Sequence, residues 1–217
     1  MKEKKQNLLR SDQIFNELAA DYDLWFDRHP DIFQSELNAL KKIVPCKGTG
    51  LEIGVGTGRF AEKLGIHYGV EPAESMKILA EKRGIKVVTG VAEHLPFPDN
   101  FFDYAVMITT LCFVQDPFQA LEEAKRVVKT GGRIIIGLID RTSSLGKQYE
   151  EKKGENPYYK FAHFFSADEV ENFLNKLKLK EISAFQTLFN SPRMLSQPDE
   201  IQEGYGKGGF VAIGGVK

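Results

Sequence analysis

Five short apolar runs alternate with segments of helical period, and that alternation is what most restricts the fold. The runs are GLEIG (50–54), HYGVE (67–71), IKVVTG (85–90), FFDYAVMI (101–108) and RIIIGLI (133–139). Several are apolar at successive positions rather than at every second one, as strands covered on both faces must be. Between the runs lie helical stripes. Over 72–84, Ala73, Met76 and Ala80 share a face, Pro72 suits the first helical position and Gly84 the end. Over 116–132, Asp116 is a natural N-cap, and Ala120, Leu121, Ala124, Val127 and Val128 form a stripe that Gly131 ends. Such alternation predicts an α/β fold, a parallel sheet with helices on both faces.

The flanks read differently. Residues 11–29 and 31–44 have the periods of two amphipathic helices with a turn around Pro30. Residues 140–165 are polar without a clean period, which predicts a loop or irregular insertion. SADE (166–169) has capping-box spacing ahead of Val170, Phe173, Leu174 and Leu177. EISAFQTLF (181–189) and GFVAIGG (209–215) read as two closing strands joined by a Pro- and Gly-rich link.

A net charge of −1 with no long basic stripe argues against nucleic acid as a partner. The basic start is followed by no signal-peptide core, and no run approaches a membrane span. Cys46 and Cys112 have no metal-like spacing and suit free thiols in a reducing compartment, so no metal, no membrane and a cytoplasmic location are expected.

LEIGVGTGRF (51–60) puts Gly54, Gly56 and Gly58 directly behind the first run. At the carboxyl end of such a strand the chain turns into a helix whose free N–H groups face a crevice, where ligands bind. Glycines there allow close backbone approach and dihedrals closed to other residues. GTGRFA (56–61) also fits a loose dinucleotide fingerprint, but Glu52 at the crevice would repel a pyrophosphate. Glu71 ends the second run nineteen residues on (52 to 71), where a carboxylate accepts ribose hydroxyls. The ligand should therefore carry a ribose and tolerate a negative neighbour. S-adenosyl-L-methionine has an adenosine, no phosphate, an ammonium and a sulfonium.

LEIGVGTGRF, YGVEPAESM, GVAEHLPFPDNFFDYAVM and QALEEAKRVVKTGGRIIIGLID, in that order, resemble the class I S-adenosylmethionine-dependent methyltransferases. The likeness is to the small-molecule branch that includes ubiquinone- and menaquinone-biosynthesis enzymes, and it runs from about residue 12 to 140. It implies a Rossmann-like three-layer sandwich, a seven-stranded mostly parallel sheet whose last strand is antiparallel, and an N-terminal helical cap. It also implies one domain over 1–217: the cap at 1–45, the cofactor-binding core at 46–140, and a lid and closing hairpin at 141–217.

For the site, the resemblance implies that Glu52 and the glycines Gly54, Gly56 and Gly58 contact the methionine part of the cofactor, and that Glu71 holds the ribose. Pro72 and Met76 belong to the same cofactor-binding set. Ala92 and Glu93 would lie beside the adenine, Thr109 would face the methyl group, and Tyr22 would fold over the cofactor. Val91 departs from the family, many of whose members carry an acidic residue there that accepts from the adenine amino group.

The implied reaction is in-line displacement of the activated methyl group by a small-molecule acceptor, with no base, acceptor or oligomeric state fixed by the residues. Two other functions share the glycine turn. One is a catalytically inactive S-adenosylmethionine-binding regulator, the other a nicotinamide-dependent oxidoreductase, which Glu52 and Arg59 disfavour. NPYY (156–159) resembles the signature of enzymes that methylate adenine or glutamine amino groups, but falls far beyond residue 109, where that signature belongs. His163 lies in the insertion near Tyr158 and Tyr159 and is a candidate for acceptor selection. The N-terminal helices around Tyr22, Trp25 and Phe26 and the insertion from about 141 to 165, which both mix aromatics with polar groups, are the two candidate segments for the acceptor pocket.

Overall fold

The computed structural model describes residues 12–190 and 195–217; the basic start, Ser11 and part of the 190–208 link lie outside it. Residues 12–17 are helical and lead into α1 (Ala19–Arg28) and α2 (Pro30–Lys41), with Pro30 at the first position of α2. The core follows as β1 (Gly50–Ile53), α3 (Arg59–Leu64), β2 (Tyr68–Val70), α4 (Glu74–Lys82), β3 (Lys86–Val88), β4 (Phe102–Ile108), α5 (Pro117–Val127) and β5 (Val128–Ile139). The remainder is α6 (Ser144–Lys152), a 3₁₀ turn (Tyr159–Phe161), α7 (Ala167–Lys176), β6 (Lys180–Thr187), β7 (Gln202–Glu203) and β8 (Phe210–Val216).

The strands form one sheet in the order β3-β2-β1-β4-β5-β8-β6-β7. The first five are parallel, and β8 enters antiparallel between β5 and β6. This is the Rossmann-like sandwich with its reversed closing strand, carrying eight strands rather than seven. The extra one, β7, is a two-residue edge strand on β6. Two-sided burial explains the unbroken apolar runs. Leu51, Ile53, Met107, Ile134 and Ile136 pack with Ala120, Leu121 and Ala124 of α5 and Val170 and Leu174 of α7. Tyr104, Val106 and Ile135 face the other way, against Leu37 and Leu40 of α2 and Phe60 and Ala61 of α3.

Local chemistry explains most boundaries. Asp116 caps α5 by accepting the N–H groups of Phe118 and Gln119, each at 3.1 Å, and Ser166 and Glu169 form the capping box of α7. Three expectations shift. Helix α5 ends at Val127, and Gly131 instead sits inside β5, at φ +82° in a bulge where the register with β4 slips. Helix α4 starts at Glu74 rather than Pro72, because the Glu71 carboxylate accepts the Ala73 N–H at 3.1 Å and makes Ala73 the cap. The 140–165 stretch is an irregular insertion that also holds a helix and a 3₁₀ turn. Ser143 Oγ accepts the Gly146 N–H at 2.9 Å and starts α6, which buries Leu145 and Gly146.

Candidate active site

The strand order reverses between β1 and β4, and the crevice of a doubly wound sheet opens at such a point. There the glycine turn and the end of β4 touch. Thr110 Oγ1 donates to the Gly54 carbonyl at 3.3 Å, and a Cβ on Gly54 would come within 2.3 Å of Thr110. Gly54, Gly56 and Gly58 all have positive φ, at +71°, +53° and +82°. Their roles differ. At Gly56 an added Cβ would meet nothing nearer than the Tyr22 ring at 4.0 Å, so this backbone faces open space. Gly58 packs its Cα side on Ala80 of α4 and stands outside the cavity lining.

A cavity of about 100 Å³ opens here. Its wall includes Tyr22, Gly54, Gly56, Glu71, Pro72, Met76, Ala92, Glu93 and Thr109. Thus nine of the eleven residues singled out in the sequence share one lining. Glu52 and Gly58 are the two outside it. Glu52 borders a small side chamber that also touches Tyr22, Gly54, Gly56 and Thr109.

The acidic groups are buried. Glu52 is 2% exposed, and its Oε2 has no hydrogen-bond partner among the described residues. Burial, reinforced by the nearby Glu71 charge and opposed by the Ala61 N–H, holds Glu52 well above the usual carboxylate range. Glu71 accepts the Gly56 N–H at 2.8 Å with one oxygen and the Ala73 N–H with the other, and burial still pushes it up to about 7. Glu93 accepts the Gln115 N–H at 2.7 Å, which fastens the loop after β4. The Cys112 thiol is pushed up to about 12 by burial, which makes it a poor nucleophile.

The roof comes from the cap and the insertion. Tyr158 donates to the Leu18 carbonyl at 3.2 Å, and Phe15 stacks on the Tyr158 ring at 5.7 Å and meets Phe113 edge-on at 5.1 Å. Arg59, in the glycine turn's helix, grips Asp23 through two nitrogens at 2.9 and 2.8 Å and reaches Asp27 at 2.7 Å. Arg83 of the α4 C-cap adds a bond to Asp23 at 2.8 Å. Burial alone would raise Asp23, but these arginines hold it down to about 2.

A second cavity, of about 180 Å³, lies under the cap. Tyr22 and Thr109 line both cavities. Thr109 has φ +49°, a strained backbone for a β-branched residue.

Comparison with known proteins fits this geometry. A family profile described as "Methyltransferase domain" matches residues 51–136. A crystal structure from Thermotoga maritima, described as a SAM-dependent methyltransferase and possible histamine N-methyltransferase, superposes with a TM-score of 0.92. It is 48% identical and covers 94% of this chain and 99% of that one. The chain belongs to the class I S-adenosylmethionine-dependent methyltransferases.

Its cofactor is therefore S-adenosyl-L-methionine. An uncharacterized protein of Methanocaldococcus jannaschii is 51% identical to this methyltransferase over 94% of the chain and 98% of its own length. A demethylmenaquinone methyltransferase of Lactococcus lactis is 26% identical over 96% of the chain and 85% of its own length. Among the described residues of the methyltransferase, no helix is long and apolar enough to cross a membrane.

Sequence reasoning missed Asp12, which lines the first cavity along with Val91, and Glu36 of the second, whereas Tyr149 and Tyr159 of the second fall in the 141–165 insertion expected to shape the acceptor pocket. Burial, with the Glu93 charge next, pushes Asp12 up to about 6. One signal for Glu36 was present. It stands four residues from both Ile32 and Leu40, on the apolar stripe of α2. Tyr158 and Tyr159 of the NPYY stretch line the second cavity, whereas His163 is exposed, sits edge-on to Phe165 and lines neither.

Proposed function

We propose that this enzyme transfers the methyl group of S-adenosylmethionine to a small-molecule acceptor, and that the two ligands meet between Tyr22 and Thr109. The observation that carries the reading is the sharing of those two residues by the strand-end cavity and the cavity under the cap. The donor set suits the cofactor. Glu52 has a buried carboxylate oxygen in want of a cationic or hydrogen-donating partner. Glu71 has lone pairs left after its two backbone bonds, as two ribose hydroxyls require. Gly56 leaves space for a ligand against its backbone.

In this reading Glu71 holds the ribose, between Pro72 and Met76. Gly54, Gly56 and Glu52 take the methionine end, while Gly58 serves from outside by seating α4. Ala92 and Glu93 border the adenine. Asp12 provides a carboxylate on the side where Val91 has none.

When bound, the cofactor supplies a sulfonium methyl that is already activated for displacement. The protein's task is then alignment and exclusion of water. Phe15, Tyr22, Phe113 and Tyr158 roof the junction, and holding two reactants in line is worth about 7–11 kcal/mol in good cases. Two free thiols support a cytoplasmic setting.

Calorimetry tests the cofactor half. S-adenosylmethionine and S-adenosylhomocysteine should bind, and NAD should not. Binding of NAD without the adenosyl compounds would overturn the reading.

A further inference from the structure

The cavity under the cap contains a carboxyl that methyl transfer by itself does not explain. Glu36 lines it from α2, is 6% exposed, and receives no hydrogen bond or salt bridge from the described residues. Ile32, Leu37 and Leu40 surround it on the buried face of the helix, where a leucine would pack at no electrostatic cost. Burial pushes the carboxyl up to about 8. Its walls are rings: Tyr22, Phe26, Phe60, Tyr149 and Tyr159 line the same cavity. After burial, the Glu36 charge is one of the influences raising the phenols of Tyr22, Tyr149 and Tyr159, so all three lie within its reach. Among the described residues, Arg28 is the one cation in the lining, and it is exposed and paired with Asp21 at 3.2 Å.

An acidic group among aromatic faces, with no cation among the described residues to neutralise it, is the recognition chemistry of an organic cation. The rings supply cation–π attraction and the carboxylate supplies the counter-charge. We infer that the methyl acceptor is a compact amine, protonated at neutral pH, whose ammonium group is held by Glu36 between these rings. Methylation at that nitrogen requires the ammonium first to pass its proton to the Glu36 carboxylate, because only the free lone pair can form the new N–C bond. An ammonium favours the charged form of this buried carboxyl, whereas a neutral or anionic acceptor gives it no counter-charge and leaves it protonated. The inference rests on the proposed function in one respect, that this cavity receives the acceptor.

The test is calorimetric, with phenethylamine as the cationic probe and phenethyl alcohol and phenylacetate as its neutral and anionic counterparts. Each is titrated into the protein saturated with S-adenosylhomocysteine and into the protein alone. Phenethylamine should bind about tenfold or more tightly than the alcohol, with phenylacetate the weakest. Glu36→Gln should remove that preference and leave the affinity for S-adenosylhomocysteine unchanged, which also shows that the variant folds. Three results would overturn the inference: the alcohol or the acetate binding as tightly as the amine, no binding of any probe, or the preference surviving in Glu36→Gln. Failure of the wild-type protein to bind S-adenosylhomocysteine would instead overturn the proposed function. The probe titrations without it keep the two failures apart.

Discussion

The cavity at the strand ends, with the side chamber beside it, draws most of its polar groups from neighbouring pieces of one supersecondary pattern, and the cap adds Asp12 and Tyr22. Glu52 and Glu71 stand at or just after the ends of β1 and β2, and Thr109 follows β4. The cavity under the cap draws on pieces far apart in the chain: Glu36 on α2, Tyr149 on α6, and Tyr159 in the 3₁₀ turn. Topology fixes the first, because parallel strands and their crevice put those positions side by side. Packing of added segments fixes the second. Acceptor choice should therefore change readily when the cap is altered, whereas cofactor binding should change only through Asp12, Phe15 and Tyr22, which the cap lends to the first cavity.

The largest effect separating the two sides should be in stability against pH. Between about pH 4.5 and 8 the unfolded chain has released the Glu36 proton and the native chain has kept it. Raising the pH through that window therefore lowers native stability, by roughly 5 kcal/mol as an upper bound. The phenols of Tyr22, Tyr149 and Tyr159 around Glu36 stay protonated throughout. Glu36→Gln should make this stretch of the profile less steep, with Asp12, Glu52 and Glu71 supplying the slope that remains, and be more stable than wild type at pH 9 in denaturant titrations without ligand. A wild-type profile that rises from pH 5 to 8 would contradict the burial of this carboxyl.

Glu71→Ala addresses the other side. A buried carboxylate accepting two ribose hydroxyls is worth about 1.5–3 kcal/mol, so cofactor affinity should fall about 10- to 150-fold in calorimetry. Amine binding under the cap should hold. An unchanged dissociation constant would remove Glu71 from the cofactor site.

The same contrast governs what could be read from sequence. The sheet's central strands and the glycine turn are written in local periods and turn chemistry, because a strand covered on both faces must be apolar at every position, whereas the polar start of β5 at Val128–Gly132 carries no such mark. Asp116 before Pro117 and Ser166 before Glu169 announce their helices for equally local reasons. Helix α6 was hidden because it buries only Leu145 and Gly146, leaving no stripe to see. Glu36 was hidden for the opposite reason. A glutamate on an amphipathic helix reads as solvent-facing, and only the rings of α1, α6 and the 3₁₀ turn close over it. Arg59 looked like a departure from a glycine fingerprint, and its partners Asp23 and Asp27 lie over thirty residues earlier.

That arginine couples the two regions. Its contacts with Asp23 are largely shielded, with side chains 17% and 16% exposed, so it does more than an exposed pair. Arg59→Ala leaves Asp23 with Arg83 alone, and should cost about 1–2 kcal/mol of stability. Because α1 carries Tyr22, the variant should also weaken both the cofactor and the amine probe. Weakening of only one ligand would show that the cap is seated independently of the glycine turn.

The smallest effect belongs to His163, and it decides whether position in the insertion is enough to matter. The residue lies between the 3₁₀ turn and α7, close in sequence to two tyrosines of the second cavity, yet its side chain is exposed and lines no part of it. Its structural tie is through the backbone, whose N–H donates to the Cys112 carbonyl at 2.7 Å and survives substitution. His163→Ala gives up an edge-on contact with Phe165 and little else. Its stability should stay within about 0.5 kcal/mol of wild type, with cofactor and amine affinities unchanged. A shift in acceptor preference would mean that the insertion rearranges when the acceptor binds, and that the second cavity extends to His163 in that state.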